Sequence, residues 1–224
     1  MVRRMWLLIF AILPSRLKVW LLNKKTGNSI HPSCRLGVSY YDIKQIVMGQ
    51  NAEIGSLNYF KGLKHLELGN EARIGGKFNW FTASKHSVRA TTGGFGVLKL
   101  GHGSNITGFH FFDLRGGIEI GENTLIAGFK SSFWTHAYKG YGVEAPWGIR
   151  IGSHCYIGSQ VIFSLGAAIG DKCMVGAGAV VSKNFSKEFG CLIAGNPGKV
   201  VNRYSADHDF FVQDHKGFRY RVAS

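Results

Sequence analysis

The most regular feature of the sequence is an aliphatic or aromatic side chain at every sixth position of one long run. These key positions are Ile151, Ile157, Phe163, Ile169, Val175 and Val181. Gly follows four of the six, and a small or slim apolar residue stands two positions before each of the last five. A six-residue period fits neither the 3.6-residue turn of an α-helix nor a simple alternating strand. It predicts a short strand followed by a tight turn, repeated as the flat face of a coil, with Gly supplying the turn angles.

The same signature continues upstream as pairs of hexads, which marks where successive coils open. Three hexads make an ideal coil of about 18 residues, and the predicted openings are Met48, Leu68, Leu100, Ile120, Ile151 and Ile169. Two of the steps are about a dozen residues too long, which predicts loops near 82–94 and 132–147. The third face of each coil is less regular in sequence. We therefore expect an all-β protein with a coil of short strands over 46–204, an N-terminal segment at 1–30 and a C-terminal extension at 205–224.

Composition supports a folded domain with an anionic partner. The chain has 31 Gly among 224 residues, and ten of them follow key hexad positions, so the excess marks turns and not flexibility. Lys and Arg number 27 against 13 Asp and Glu, a formal charge of +14. This balance favours nucleic acid, a membrane surface or a phosphorylated ligand as partner. No two of the four Cys have C-x-x-C spacing, and Cys155 and Cys173, one coil apart, are predicted to stack in the core.

The N-terminal segment up to Lys25 combines apolar and basic side chains. The apolar run Met5–Leu13 is too short to span a bilayer, which needs about 20 residues. A signal peptide would begin in the same way, but no small-residue cleavage site follows. We expect an amphipathic helical segment that contacts anionic lipid, and packing on the coil end or on a neighbouring subunit is the alternative. The basic residues expected to face the membrane are Arg3, Arg4, Arg16, Lys18, Lys24 and Lys25.

Two motifs close the repeat, V-G-A-G-A-V-V at 175–181 and I-A-G-N-P-G-K-V-V at 193–201. With the hexads, they resemble the hexapeptide-repeat acyltransferases, and among these the galactoside, maltose and surface-polysaccharide O-acetyltransferases. The resemblance implies a left-handed parallel β-helix, a homotrimer, and acetyl-coenzyme A as acyl donor without a metal. A coenzyme A user is expected in the cytoplasm, here with peripheral contact to the inner face of the membrane.

Acyl transfer to a sugar hydroxyl needs a general base, and imidazole suits that task near neutral pH. His136, in F-W-T-H-A-Y-K at the start of the second long loop, corresponds to the catalytic His of the acetyltransferases that the chain resembles. Those enzymes also carry an acid at about the place of Glu144, which is therefore predicted to orient the ring. His86 and His110 are the other candidates for the base.

The resemblance also implies binding residues. Asp113, His110 and Trp134 are predicted to contact the acceptor, although the sequence does not fix the register of Asp113. Coenzyme A carries phosphates that need cations and free amides. The motif positions that match the family's coenzyme A contacts are Ser159, Ala177 through its backbone N–H, Ser182, Lys183, Lys199 and Arg203.

The sequence thus predicts an O-acyltransferase that acts on a sugar of a surface polysaccharide or lipopolysaccharide, by direct attack on the thioester. A non-catalytic scaffold or anion-binding β-helix is the alternative. No nucleic-acid-binding motif is present, so we expect no nucleic acid partner. A zinc-dependent carbonic anhydrase on the same coil is disfavoured, because the loop of His136 holds no second His.

Overall fold

The computed structural model describes residues 2–83, 94–136 and 148–212. Most of the two loops predicted near 82–94 and 132–147 therefore lies outside the described residues. The described chain is mainly β, with two helices at its N-terminus and a short one near residue 210.

Short strands wind into a coil in which each turn contributes three strands, and strands of successive turns pair in parallel. The first face consists of β1 (Ser29–Ile30), the second half of β3 (Tyr40–Met48) and of β5 (Tyr59–Leu68), β8 (Val97–Leu100), β11 (Ile118–Ile120), β14 (Ile149–Ile151), β17 (Ala168–Ile169) and β20 (Asn184–Phe185). The second face consists of β2 (Arg35–Leu36), β4 (Glu53–Ile54), β6 (Arg73–Ile74), β9 (Asn105–Ile106), β12 (Leu125–Ile126), β15 (Tyr156–Ile157), β18 (Met174–Val175), β21 (Cys191–Ala194) and β22 (Lys199–Arg203). The third face consists of the first halves of β3 and β5, then β7 (Trp80–Thr82), β10 (Phe111–Asp113), β13 (Ser132–Phe133), β16 (Ile162–Phe163) and β19 (Val180–Val181).

The predicted coil openings lie above one another. Met48 is opposite Leu68, Leu68 is opposite Leu100, and the ladder continues through Ile120 and Ile151 to Ile169. The coil predicted from the hexads is thus confirmed as a parallel β-helix. Its left-handed sense remains a prediction.

The third face, which the sequence left irregular, is held by a stack of phenylalanine rings inside the coil. Ring centroids of neighbouring members are 4.5 to 5.2 Å apart, from Phe60 through Phe81, Phe112 and Phe133 to Phe163. All five side chains are fully buried. They follow the second key position of each coil by six or seven residues, and the seven-residue steps put them out of phase with the hexads.

Two N-terminal helices, α1 (Val2–Ile12) and α2 (Ser15–Asn23), cover the first coil. Lys18, predicted to face a membrane, is instead fully buried, and its Nζ donates to the carbonyls of Leu36 at 3.3 Å and Gly37 at 2.5 Å. Burial lowers the pKa of this ammonium. Lys18 points inward because the first coil has no preceding strand, so its backbone carbonyls need another hydrogen-bond donor.

Asn23 completes the same edge. Its Nδ2 donates to the carbonyl of Ile30 at 2.8 Å, and the N–H of Ile30 donates to its Oδ1 at 2.9 Å. The amide side chain thereby replaces a neighbouring strand. Among the described residues, no helix has the length and apolar character to cross a membrane.

At the other end, the chain turns back on itself. β22 pairs antiparallel with β21, and the short helix α3 (Asp209–Val212) follows. Cys155, Cys173 and Cys191 are all fully buried inside these last coils, and the Sγ atoms of Cys173 and Cys191 are 3.5 Å apart. The stacking expected for Cys155 and Cys173 fits this packing.

The phenylalanine stack gives a stability prediction with an internal control. Replacing Phe112 by Ala leaves a cavity between two rings and should cost about 3–5 kcal/mol of unfolding free energy. Phe109, three residues earlier, is 56% exposed, and its replacement by Ala should cost less than about 1 kcal/mol. Urea denaturation of both variants measures the difference, and equal losses would contradict the packing role of the stack.

Candidate active site

A short polar contact at the surface of the coil joins His136 to Asp113. The Nδ1 atom of His136 lies 2.5 Å from the Oδ2 atom of Asp113. The carboxylate side chain is 5% exposed, whereas the imidazole is 34% exposed. A buried carboxylate therefore holds one ring nitrogen while part of the ring remains open to solvent.

The register of the coil brings these two residues together. Phe112 and Phe133 are opposite each other in β10 and β13. Asp113 comes directly after Phe112, and His136 comes shortly after Phe133, so the two side chains meet although they are 23 residues apart in sequence. Asp113 ends its strand, and His136 ends the described stretch that leads into the second loop. The contact between Asp113 and His136 thus lies at the end of the regular third face in these two coils.

Thr135 holds the same oxygen of the Asp113 carboxylate. Its backbone N–H donates to the Oδ2 atom of Asp113 at 3.0 Å, and its hydroxyl donates to the backbone carbonyl of Asp113 at 2.6 Å. The N–H of Gly116 in turn donates to the Thr135 hydroxyl at 2.8 Å. Because Thr135 is fully buried, the Asp113 carboxylate has little freedom to rotate away from the imidazole.

Two of the predicted residues, Glu144 and the rival base His86, lie outside the described residues. Within the described part of the chain, the acid at the imidazole is Asp113, which was predicted to contact the acceptor. The missing information was its register: only the pairing of Phe112 with Phe133 reveals that it faces His136. Its burial and its bonds to Thr135 do not fit the predicted contact with an acceptor.

His110 lies inside the coil, and this burial does not fit the predicted contact with an acceptor. The side chain is 1% exposed. Its Nδ1 atom accepts the N–H of Ser131 at 3.2 Å, and its Nε2 atom lies 2.9 Å from the Thr107 hydroxyl. Desolvation by burial lowers the pKa of His110 to about 4. A neutral ring with both nitrogens bonded explains why this His is structural and unsuited to be the general base.

His110 belongs to a buried polar column in which each side chain accepts the backbone N–H of the next coil. Ser39 accepts from Asn58 at 2.9 Å, Asn58 from Asn79 at 3.1 Å, and Asn79 from His110 at 2.9 Å. Ser131 continues the column by accepting from Val161 at 3.2 Å. These residues satisfy buried donors at a corner of the coil, as buried polar groups require.

Trp134 lies two residues before His136 and is exposed on the same outer surface. Its Nε1 atom donates to the Ser132 hydroxyl at 3.1 Å, and its ring centroid is 4.8 Å from that of Phe111. The two rings form a fixed aromatic surface on the third face of the coil. This position agrees with the predicted role in binding an acceptor, which remains a prediction.

The predicted donor residues adjoin the same face. The N–H of Trp134 bonds to the carbonyl of Phe163, and the N–H of Ser164 bonds to that of Val181. Trp134, Ser164 and Ser182 therefore follow one another on successive coils, and two coil steps of 4.7–4.9 Å separate the first from the last by about 10 Å. Ser182 and its neighbour Lys183 are exposed.

The remaining donor residues lie at the neighbouring corner and along the terminal strand. The N–H of Gly178 bonds to the carbonyl of Ser159, and Ala177 is exposed beside it. The N–H of Gly198 bonds to the carbonyl of Val180, which brings the exposed Lys199 to the end of the third face. Five of the six predicted donor residues thus lie on the coils around Val180: Ser159, Ala177, Ser182, Lys183 and Lys199. The sixth, Arg203, lies farther along β22.

Arg203 has a partner within the chain. Its Nη2 atom lies 2.7 Å from the Oε2 atom of Glu188, and this bond raises the pKa of the guanidinium. A carboxylate at this distance competes with an added phosphate. The structure therefore favours Lys183 and Lys199 over Arg203 as cations for a ligand.

Neither a metal centre nor a reactive thiol is found within residues 2–83, 94–136 and 148–212. No group of three or more His, Cys, Asp or Glu side chains in these ranges could hold a metal ion. Burial raises the pKa of Cys155 to about 12, which keeps its thiol protonated.

Comparison with known proteins identifies the class of the fold. Residues 148–183 match the family of the hexapeptide repeat of succinyl-transferase. The sequence-based resemblance to hexapeptide-repeat proteins is confirmed over these residues. No curated protein matches the chain significantly.

Solved structures of hexapeptide-repeat enzymes are similar to the chain in fold. The polySia-specific acetyltransferase NeuO is 17% identical with a TM-score of 0.50, and the match covers 79% of this chain and 76% of NeuO. A hexapeptide-repeat-containing acetyltransferase of Vibrio cholerae, solved with acetyl-coenzyme A, is 22% identical with a TM-score of 0.48 over 62% of this chain and 71% of its own. At 17% identity, the likeness to NeuO concerns the fold alone.

The buried His110 predicts a pH-dependent stability. Its pKa is near 4 when folded and about 6.5 when unfolded, so the unfolded chain binds the extra proton between these values. The contribution of His110 to the free energy of unfolding is therefore fully present above about pH 6.5, and it is lost as the pH falls towards 4. Between pH 7 and pH 5 the loss should be about 2 kcal/mol.

His110→Asn should remove that part of the pH dependence, because Asn occupies the equivalent place at Asn58 and Asn79. The exposed His31→Asn serves as the control and should retain it. Urea denaturation of all three proteins at the two pH values measures the effect. An unchanged pH dependence in His110→Asn would contradict the assignment.

Proposed function

We propose that the protein is an acyltransferase that moves an acyl group, most simply acetyl, from acyl-coenzyme A to a sugar hydroxyl. The observation that carries the proposal is the half-exposed His136, held by the buried Asp113 beside a surface that bears exposed cations. A hydroxyl is a poor nucleophile at neutral pH, so such a reaction needs a positioned base.

His136 is the proposed general base. Asp113 accepts a hydrogen bond from the Nδ1–H group of His136 and keeps the ring in that tautomer. The lone pair of Nε2 is then free to take the proton of the acceptor hydroxyl. The resulting oxygen nucleophile attacks the thioester carbonyl directly, and backbone N–H groups stabilise the oxyanion. Collapse of the tetrahedral intermediate breaks the carbon–sulfur bond. The proton on His136 then passes to the departing sulfur, so free coenzyme A and an ester are formed.

The proposed donor site follows the third face of the coil from Trp134 towards Lys199. Ser159, Ala177 and Ser182 offer backbone or hydroxyl groups, and Lys183 and Lys199 offer charge. Exposed ammonium groups suit the phosphates of coenzyme A. Arg203 was also predicted to bind coenzyme A, and its bond to Glu188 supports a lesser contribution.

The proposed acceptor is a sugar in a surface polysaccharide or lipopolysaccharide, or in a lipid-linked precursor. Trp134 and Phe111 supply an aromatic surface next to His136, and aromatic surfaces pack against the apolar faces of sugars. NeuO, the neighbour with a TM-score of 0.50, is described as specific for polySia. We propose a homotrimer in the cytoplasm, where acyl-coenzyme A is available, with Glu144 as a further acid from the second loop.

The activity is tested by following thiol release from acetyl-coenzyme A with free, nucleotide-linked and lipid-linked sugars. Turnover with one acceptor class supports the proposal and names that class. Absence of turnover with every donor and acceptor would instead favour a non-catalytic scaffold.

The pair of His136 and Asp113 gives the first kinetic prediction. His136→Ala removes the base, and Asp113→Asn removes the acceptor that sets the tautomer, so each should lower kcat by about 10²–10⁴-fold. The KM for acetyl-coenzyme A should change little. His102→Ala, at a turn on another corner, is the control and should keep its rate. A fully active Asp113→Asn variant would refute the role of the carboxylate in orienting the ring.

The exposed cations of the proposed donor site give the second kinetic prediction. Replacing Lys183 and Lys199 together by Ala should raise the KM for acetyl-coenzyme A roughly tenfold, because two contacts to phosphate are lost. The acceptor KM should stay constant. Lys61 and Lys64, replaced together by Ala, lower the net charge equally at distant positions. If the KM for acetyl-coenzyme A rose equally in the control variant, the loss of net charge would explain the change, and specific contacts to phosphate would be refuted.

A further inference from the structure

The two N-terminal helices expose several large apolar side chains. In α2, Leu17, Trp20 and Leu21 are spaced by three or four residues and share one exposed face, and the exposed Lys24 follows directly after the helix, four residues beyond Trp20. In α1, Leu8 and Ile12 are 61% and 71% exposed, with Ile9 beside them. We call this set the apolar cap face: Leu8, Ile9, Ile12, Leu17, Trp20 and Leu21.

The opposite faces of the same helices are anchored to the coil. Val19 belongs to the buried core, Ala11 is buried, and Phe10 packs edge-on against Tyr41 with centroids 6.0 Å apart. Lys18 is fixed by its bonds to the first coil. The apolar cap face is therefore held outward by packing, and its members cannot turn inward without breaking these contacts.

The segment that forms the two helices carries charge of one sign. The chain contains no Asp or Glu before Asp42, and this stretch holds seven of the basic residues: Arg3, Arg4, Arg16, Lys18, Lys24, Lys25 and Arg35. From Asp42 onward the chain carries the other 20 Lys and Arg and all 13 Asp and Glu, so each part contributes +7 to the total of +14. Half of the excess charge lies in less than a fifth of the chain.

Trp20 and Lys24 connect the apolar and the charged parts. The Nζ atom of Lys24 lies 3.5 Å from the ring centroid of Trp20, and Trp20 is 55% exposed. An amphipathic ring beside a cation is the arrangement that favours the boundary between lipid headgroups and acyl chains. α1 has 11 residues, which makes it about 17 Å long and too short to cross a bilayer.

We propose that the apolar cap face docks the protein onto the surface of an anionic lipid bilayer. The apolar side chains enter the headgroup boundary, and Arg16, Lys24 and Lys25 meet the lipid phosphates. A second copy of the chain is a poor occupant, because pairing two such faces would bring like charges together. The inference concerns attachment and holds whether or not the proposed reaction takes place.

The test uses the full chain, since α2 also completes the first coil and truncation would expose it. Flotation with vesicles of phosphatidylcholine and phosphatidylglycerol, mixed in a ratio of about two to one, should recover the protein at low salt. Vesicles of phosphatidylcholine alone should bind it at least roughly tenfold more weakly, and about 0.5 M salt should weaken binding to the anionic vesicles.

Ile12→Gln combined with Trp20→Gln should lower binding to the anionic vesicles at least roughly tenfold, since burial of two large apolar groups is lost. Leu57→Gln combined with Phe189→Gln removes two exposed apolar side chains elsewhere and should bind as the unchanged protein does. Thermal unfolding establishes that both variants are folded.

Three results would overturn the proposal. The unchanged protein could fail to float with anionic vesicles, or the two double variants could bind equally. Alternatively, size-exclusion chromatography could show that Ile12→Gln with Trp20→Gln dissociates an oligomer, which would make the cap face an interface between copies.

Discussion

The parallel register between successive coils is the constraint on which the proposed site depends. Along the strands, backbone N–H groups donate to carbonyls of the neighbouring coil. A strand residue therefore has a fixed partner even when a long loop separates the two in sequence. Asp113 and His136 meet because Phe112 pairs with Phe133. A shift of one residue in that ladder would turn the side chains to the opposite face and separate the carboxylate from the imidazole.

The repeat made much of the fold predictable, because the hexads record a local rule that every coil obeys. The coil openings and the small core residues Cys155 and Cys173 followed from spacing alone. The phenylalanine stack did not, since seven-residue steps break the period at Phe81 and Phe133. The partner of His136 was equally hidden, because contacts between coils depend on register and the sequence does not state where a loop rejoins the coil.

The direction in which individual side chains point could not be predicted from the sequence either. A basic amphipathic segment was expected to direct its cations to the outside, yet Lys18 points inward to backbone carbonyls of the first coil. The need to satisfy the open edge outweighed the cost of burying an ammonium group. His110 shows the same preference, since a backbone donor in the next coil determines where the ring lies.

The changing identity of the residues inside the coil has a consequence for assembly of the chain. Repeats with equivalent coils can associate out of step, with a whole turn skipped or duplicated. Here the polar column, containing Asn58, Asn79 and His110, occupies the early coils, and a cysteine stack occupies the last ones. A coil that joined the wrong neighbour would lose the bond from the Nδ2 atom of Asn79 to the Oδ1 atom of Asn58, which are 3.0 Å apart. Such residues distinguish one coil from the next, so a repetitive backbone has a single order of winding.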